Sequence, residues 1–327
     1  MKRREFIAGL GSAAVAWPTT AWAQQAAMPV IGFLHPSSPD LFTSRLLSFR
    51  QGLAESGYVE GQNVLIEYRW GNERNDQVPA FAADLVRRQV AVLVAGGNVA
   101  SMAAKAATDT TPIVFLSSDD PVKLGLVASM NRPGGNATGM ASLDLEVGPK
   151  RLEVLHEFIP AGAPIALLVN QEDPARAEFQ QINMLTAARV LGRELHVLRA
   201  STDGDLATAF ATLLEKRAGA LVIGPDTFFN SRIKQLANLT VRHRVAAVYQ
   251  FREFVAAGGL MSYGGSLTDT YMQVGRYVGR ILKGDKPADL PVEQTVKIEL
   301  FINSGTAKSL GLTIPLSLLG RADEVIE

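Results

Sequence analysis

The sequence predicts an α/β protein of two lobes, each a parallel sheet flanked by helices, with a crevice between them. Three observations lead there. Short continuous apolar runs, such as residues 90–94 and Ile165–Val169, have the texture of strands buried on both faces. Segments with apolar residues at helical spacing alternate with them, the order that builds parallel sheets. The chain has 327 residues, and the roughly 300 that come after a removable leader exceed what one core ordinarily serves.

The leader comes first. Met1-Lys2-Arg3-Arg4-Glu5-Phe6-Ile7 is followed by apolar and small residues at 8–17 and by Ala21-Trp22-Ala23. A basic start, an apolar middle and an A-x-A ending predict a secretory signal over 1–23, cleaved after Ala23. The paired arginines give it the twin-arginine character. A membrane span needs about 20 apolar residues, and this stretch is shorter and meets Pro18. Gly9-Leu10-Gly11-Ser12-Ala13-Ala14 matches a nucleotide-binding fingerprint, but it sits inside the removable segment rather than between a strand and a helix. The expected location is therefore the periplasm. There are no cysteines, so disulfides, a thiolate metal site and a lipid-anchoring cysteine are excluded, and the mature chain is expected to be free of the membrane and monomeric. Lys plus Arg and Asp plus Glu each number 32, which gives no basic surface for nucleic acid.

In the first half, residues 29–34 read as a buried strand ending in the polar loop His35-Pro36-Ser37-Ser38. A helix follows over 44–56, with Leu46, Leu47, Arg50 and Leu53 at helical spacing and Gly57 as its stop. Residues 64–70 are a second strand and 79–88 a helix with a basic last turn. The strand at 90–94 ends at Gly96-Gly97-Asn98, the alanine-rich 99–108 is a helix, and 113–116 is a strand ending at Ser117-Ser118-Asp119-Asp120-Pro121.

After Pro133-Gly134-Gly135-Asn136 the alternation repeats. Helices are expected at 148–158, 175–191, 205–215 and 228–242. Strands follow them at Ile165–Val169, 196–198, Ala220–Ile223 and Ala246–Tyr249. Gly264-Gly265-Ser266 reads as a turn where the chain crosses between lobes. The tail holds a helix at 269–282, a proline-containing link at 285–290, a strand at 295–302 and short helices at 306–310 and 315–319.

Ligands of open parallel sheets sit beyond the carboxyl ends of the strands. Those ends nominate His35, Ser37, Gly97, Asn98, Ser118, Asp119, Asn170, Asp226, Tyr249 and Phe251 as ligand-binding residues. They supply small hydroxyls, amides, carboxylates and bare backbone, with Tyr249 and Phe251 as aromatic walls, which suits a small polar molecule with a flat or apolar body. Of Asp119 and Asp120, one is expected to cap the next helix and the other to face the cleft. Asp226 is open to either role.

Catalytic signatures are missing. The four histidines show no metal spacing, no serine occupies a G-x-S-x-G elbow, and there is no phosphate-binding G-x-x-x-x-G-K-[ST] loop. No catalytic residue, metal or cofactor is assigned. An exported α/β hydrolase-like enzyme and a ligand-sensing module for a membrane receptor stand as alternatives to a binding protein.

Motifs through nearly all of the mature chain give a sharper reading. They include 57–64 (Gly57-Tyr58-Val59-Glu60-Gly61-Gln62-Asn63-Val64), Asp120-Pro121-Val122 and Arg132-Pro133-Gly134-Gly135-Asn136-Ala137-Thr138-Gly139. Later ones are Gly258-Gly259-Leu260-Met261-Ser262-Tyr263-Gly264 and Ala288-Asp289-Leu290-Pro291-Val292-Glu293-Gln294. In this order they resemble the ABC transporter substrate-binding protein family, whose characterised members include binders of aromatic amino acids. The resemblance implies a two-lobed periplasmic-binding-protein fold that captures a small molecule by lobe closure for an ABC importer, with an inner-membrane permease as partner. It implies a discontinuous first lobe, 28–140 with about 267–290, and a second lobe, 141–266 with about 291–327. It also implies that Asp119-Asp120-Pro121 and Gly224-Pro225-Asp226 lie on cleft loops. Family members often have Thr-Asp-Pro where this chain has Asp119-Asp120-Pro121, and a Ser-Asp pair where it has Tyr249-Gln250-Phe251. The second departure removes a carboxylate that could hold an α-ammonium, so an aromatic or other carboxylate-bearing metabolite fits as well as an amino acid.

Overall fold

The computed structural model describes residues 28–72, 74–142, 144–294 and 297–327. The expected leader, with its Gly9–Ala14 fingerprint, and the first two residues of the strand expected at 295–302 lie outside the described residues.

The first run of the chain gives β1 (Val30–His35), α1 (Thr43–Glu55), β2 (Leu65–Trp70), α2 (Val78–Arg87), β3 (Val92–Gly96), α3 (Asn98–Ala107), β4 (Ile113–Ser117) and β5 (Ala137–Ala141). The second gives α4 (Gly148–Phe158), β6 (Ile165–Val169), α5 (Pro174–Val190), β7 (Leu195–Arg199), α6 (Asp203–Glu215), β8 (Ala220–Ile223), α7 (Thr227–Asn230), α8 (Ile233–Arg242), β9 (Ala246–Tyr249), α9 (Arg252–Ala256) and β10 (Met261–Gly265). Then come α10 (Leu267–Leu282), β11 (Glu293–Gln294), β12 (Ile298–Asn303), α11 (Ser304–Ser309), α12 (Leu316–Leu319) and β13 (Glu324–Ile326).

Two sheets form, ordered β11-β5-β4-β3-β1-β2 and β13-β12-β10-β9-β8-β6-β7. Every pairing among these strands is parallel except β10 with β12. Strand alternation sends side chains to two cores per sheet. In the first sheet Phe33 packs with Phe49, Leu53 and Val274, under α1 and α10, while its neighbour Leu34 packs with Leu85, Leu93 and Ala104, under α2 and α3. In the second, Leu167 and Val222 face α4 and α5, and Leu168 and Leu221 face α6 and α8. Both faces of interior strands such as β3, β6, β8 and β9 are buried, which is why these strands read as unbroken apolar runs. Each such leucine contributes about 1.5–3 kcal/mol by burial.

Helix α10 docks on α1 at very short range, so it belongs to the first sheet although it follows β10. A Cβ on Gly52 would stand 2.0 Å from the Met272 carbonyl oxygen, and one on Gly275 would stand 2.2 Å from that of Phe49. Only glycine at both places lets the backbones meet. One boundary is corrected: residues from 291 on were expected in the second lobe, but β11 pairs with Met140 and Ala141 of the first sheet. Hydrogen bonds hold the link there, from Thr138 Oγ1 to the Leu290 carbonyl (2.7 Å) and from Tyr277 Oη to that of Pro291 (2.8 Å). Gly264 and Gly265, expected as a turn, instead complete β10. The crossing falls just after them, where Ser266 caps α10 by accepting from the Asp269 amide.

Candidate functional site

The carboxyl ends of both parallel sheets face one another across a cavity of about 100 Å³ lined from both lobes. That is room of the order that admits one ring-sized molecule. A wider mouth adjoins it, sharing Ser37, Ser118, Arg176, Asp226 and Thr227.

From the first lobe, β1 delivers His35 to the inner cavity and the loop after it delivers Ser37. The Ser37 amide donates to His35 Nδ1 at 3.0 Å, which leaves Nε2 as the protonated nitrogen of a neutral ring. Burial, and then the charge of Arg45, hold this imidazole well below the ordinary histidine range. The bare backbone of Gly96 makes room for it, since a Cβ there would stand 2.3 Å from His35 Cδ2. Gly97 follows with φ +86°, a left-handed conformation suited to glycine, and lines the cavity at the start of α3.

Asn98 organises the end of β4. Its Oδ1 accepts from Ser117 Oγ (3.0 Å) and the Ser118 amide (3.1 Å), and its Nδ2 donates to Asp119 Oδ2 (2.5 Å). Asp120 turns the other way and accepts from the Val122 amide (2.9 Å), capping a turn. The second lobe replies with Arg176, in the first turn of α5. It donates to Asp119 Oδ1 (2.9 Å), to Ser118 Oγ (3.1 Å) and to the Pro225 carbonyl (3.0 Å). This guanidinium bridges the lobes between the inner cavity and the mouth.

Asp226 both caps and faces the cavity. It accepts from the Phe228 amide (2.8 Å) and from Asn170 Nδ2 (2.9 Å). Burial pushes its carboxyl above the ordinary aspartate range. Asn170 lines the mouth, as does Asn98, and Phe251 lines the inner cavity.

The ten nominated residues thus divide. His35, Ser37, Gly97, Ser118, Asp226 and Phe251 line the inner cavity, and Asn98 and Asn170 line the mouth. Asp119 is tied up by Asn98 and Arg176. Tyr249 is a correction: it is fully buried, stacks on Phe254 at 4.6 Å and shares a 2.6 Å hydrogen bond with Thr240 Oγ1. Its side chain leaves β9 into the layer under α8 and α9 rather than off the strand end.

Sequence reasoning missed Arg45, Asp144, Arg176, Asn230, Thr270 and Tyr271, all cavity-lining. Arg45 and Arg176 did carry a signal. Each is a cation in the first turn of a helix, where the dipole disfavours it. Thr270 and Tyr271 arrive on α10, whose return to the first lobe no local pattern reveals.

Among the described residues no group of acidic or histidine side chains is placed to hold a metal, and no helix is long and apolar enough to cross a membrane. The sequence pattern of the family described as ABC transporter substrate binding protein matches residues 34–326. The chain is similar to the tyrosine-binding protein of Clostridioides difficile strain R20291, with 24% identity over 267 residues, 81% of this chain and 75% of that one. In structure it is similar to a conserved domain protein of Vibrio cholerae O1 biovar El Tor, with TM-score 0.82, 25% identity and coverage of 91% and 99% of the two chains. It is also similar to an ABC domain of Streptococcus pneumonia in complex with L-Trp, with TM-score 0.81, 24% identity and the same coverage.

Proposed function

The chain belongs to the ABC transporter substrate-binding protein family, and on that premise we propose that it captures one small organic molecule in the inner cavity and passes it to the permease of an ABC importer. It works in the periplasm as a monomer and leaves its ligand chemically unchanged. The ligand class is an aromatic, amino-acid-like or other carboxylate metabolite, in keeping with a relative named for tyrosine binding and a structural neighbour holding L-Trp.

The observation that carries this reading is the Arg176 bridge beside a cavity lined from both lobes. Ser118 and Asp119 belong to the first lobe, while Arg176 and its Pro225 partner belong to the second. A molecule touching both walls stabilises the arrangement in which this bridge is made. Occupancy and closure are then one equilibrium, biased by the ligand's preference for the closed state.

The test uses mature protein recovered from a bacterial periplasm. Mass spectrometry after denaturation is expected to release one small molecule near equimolar amount. Adding it back to stripped protein is expected to reduce the radius of gyration in X-ray scattering. No released molecule, together with a constant radius across a metabolite panel, overturns the proposal.

A further inference from the structure

Among the described residues, Arg45 is the charged cavity side chain with enclosed donors left without a hydrogen-bond partner. It stands in the first turn of α1, is 6% exposed and lines the inner cavity. Its Nε and Nη2 are enclosed, yet neither has a hydrogen-bond partner. The facing carboxylate, Glu253 Oε1, is 3.6 Å from Nε, close enough for attraction but beyond a hydrogen bond. The Phe42 ring lies 4.8 Å from the guanidinium carbon and offers a π face rather than an acceptor. Enclosed donors of a charged group left unmade carry their full desolvation cost. A ligand carboxylate, with two oxygens matched to the guanidinium fork, removes that cost.

A second observation points the same way. Helix α1 has no side-chain cap and no acidic residue in its first turn. Arg45 adds positive charge at the positive end of the helix dipole, an arrangement that an anion reconciles.

The carboxylates that could hold an ammonium are otherwise engaged. Asp226 Oδ1 accepts from Asn170 and the Phe228 amide, and Asp144 Oδ1 faces Arg151 Nη2 at 3.4 Å. Burial raises the pKa of both, which disfavours the charged form that an ammonium needs. Leu116, Met140, Phe251, Leu267 and Tyr271 give the wall an apolar part, beside neutral hydroxyl and amide side chains such as Ser117, Thr227 and Asn230. We infer that the inner cavity takes a small carboxylate anion with a flat apolar body, anchored by the Arg45 guanidinium, and that the ligand needs no ammonium group. The inference rests on the binding-protein reading above and narrows its ligand class.

Calorimetry and thermal melting of the mature chain test it with a panel that holds the ring constant. The members are 3-phenylpropionate, L-phenylalanine, phenethylamine and 3-phenylpropanol, joined by whatever molecule the periplasmic protein releases. Binding is expected for ligands with a free carboxylate, with or without an ammonium, and not for the amine or the alcohol. Arg45→Gln is expected to weaken carboxylate binding at least about tenfold, while unliganded protein melts no lower than wild type. Glu253→Gln is expected to bind as well as wild type. A matching loss in that variant would mean that Arg45 serves only to latch Glu253. Preference for the amine or the alcohol, dependence on the ammonium, or undiminished carboxylate binding by Arg45→Gln overturns the inference and leaves the binding-protein reading standing. No binding by any member and no released molecule overturns both.

Discussion

Two buried arginines, one at the crossing between lobes and one in the cavity, face opposite circumstances. Arg151 of α4 is fully buried and donates to the Tyr263 carbonyl (2.7 Å), the Asp144 carbonyl (2.7 Å) and Asp144 Oδ1 (3.4 Å). It fastens the segment entering α4 to the strand that precedes α10, so the protein itself completes it. Arg45 has almost the same burial and no hydrogen bond at two of its nitrogens. Equal burial of the same side chain therefore marks a structural rivet in one place and a receptor for something external in the other. The deciding property is whether the chain satisfies the donors.

The comparison breaks most directly at the rivet. Arg151→Leu leaves Asp144 buried without its cation, and a loss of about 3–5 kcal/mol of stability is expected. Urea unfolding measures it, and a loss near zero would dissolve the distinction between the two arginines. A smaller effect sharpens the cavity side through His35. Its folded pKa lies below that of the unfolded chain, so the unfolded chain takes up the proton first as pH falls. The stabilisation from the neutral ring is thus complete above about pH 6.5. It declines below that, by up to about 1.4 kcal/mol per pH unit, until the folded pKa is reached. Unfolding curves between pH 7.5 and 5 are expected to show this slope in wild type and to lose it in His35→Gln. The smallest effect concerns Tyr249. Tyr249→Phe removes only the hydrogen bond to Thr240, so about 1 kcal/mol of stability is expected to go, with ligand affinity unchanged. A drop in affinity without loss of stability would return Tyr249 to the cleft.

Much of the fold was legible because its interior strands are buried on both faces. Ile165–Val169, Ala220–Ile223 and Ala246–Tyr249 fall where the apolar runs lie. Strand β5 escaped notice because Ala137-Thr138-Gly139-Met140-Ala141 is built largely from small residues, without the β-branched texture that marks a strand. The helix expected over 228–242 is interrupted between α7 and α8 at Arg232, where φ −114° and ψ 28° break the spiral without a proline or glycine to announce it. Strand-end loops located the cleft by topology alone. Individual side chains were harder, because Arg45 and Arg176 reach in from helices, and the direction of Tyr249 is set by packing on Phe254 rather than by its place in the strand.

The seating of α10 on α1 has a consequence for how the chain can be divided. The chain passes from the first sheet to the second after β5, returns before α10, and leaves again after β11. Neither lobe is a continuous stretch, so no single cut releases one whole. A fragment ending at residue 266 has β1 to β5 but lacks the helix that covers Phe49 and Leu53, and its β10 has no β12 beside it. During synthesis the first lobe therefore stays unfinished until α10 and β11 emerge, and the second until β12 and β13 follow. The unit that can fold to completion is the entire pair.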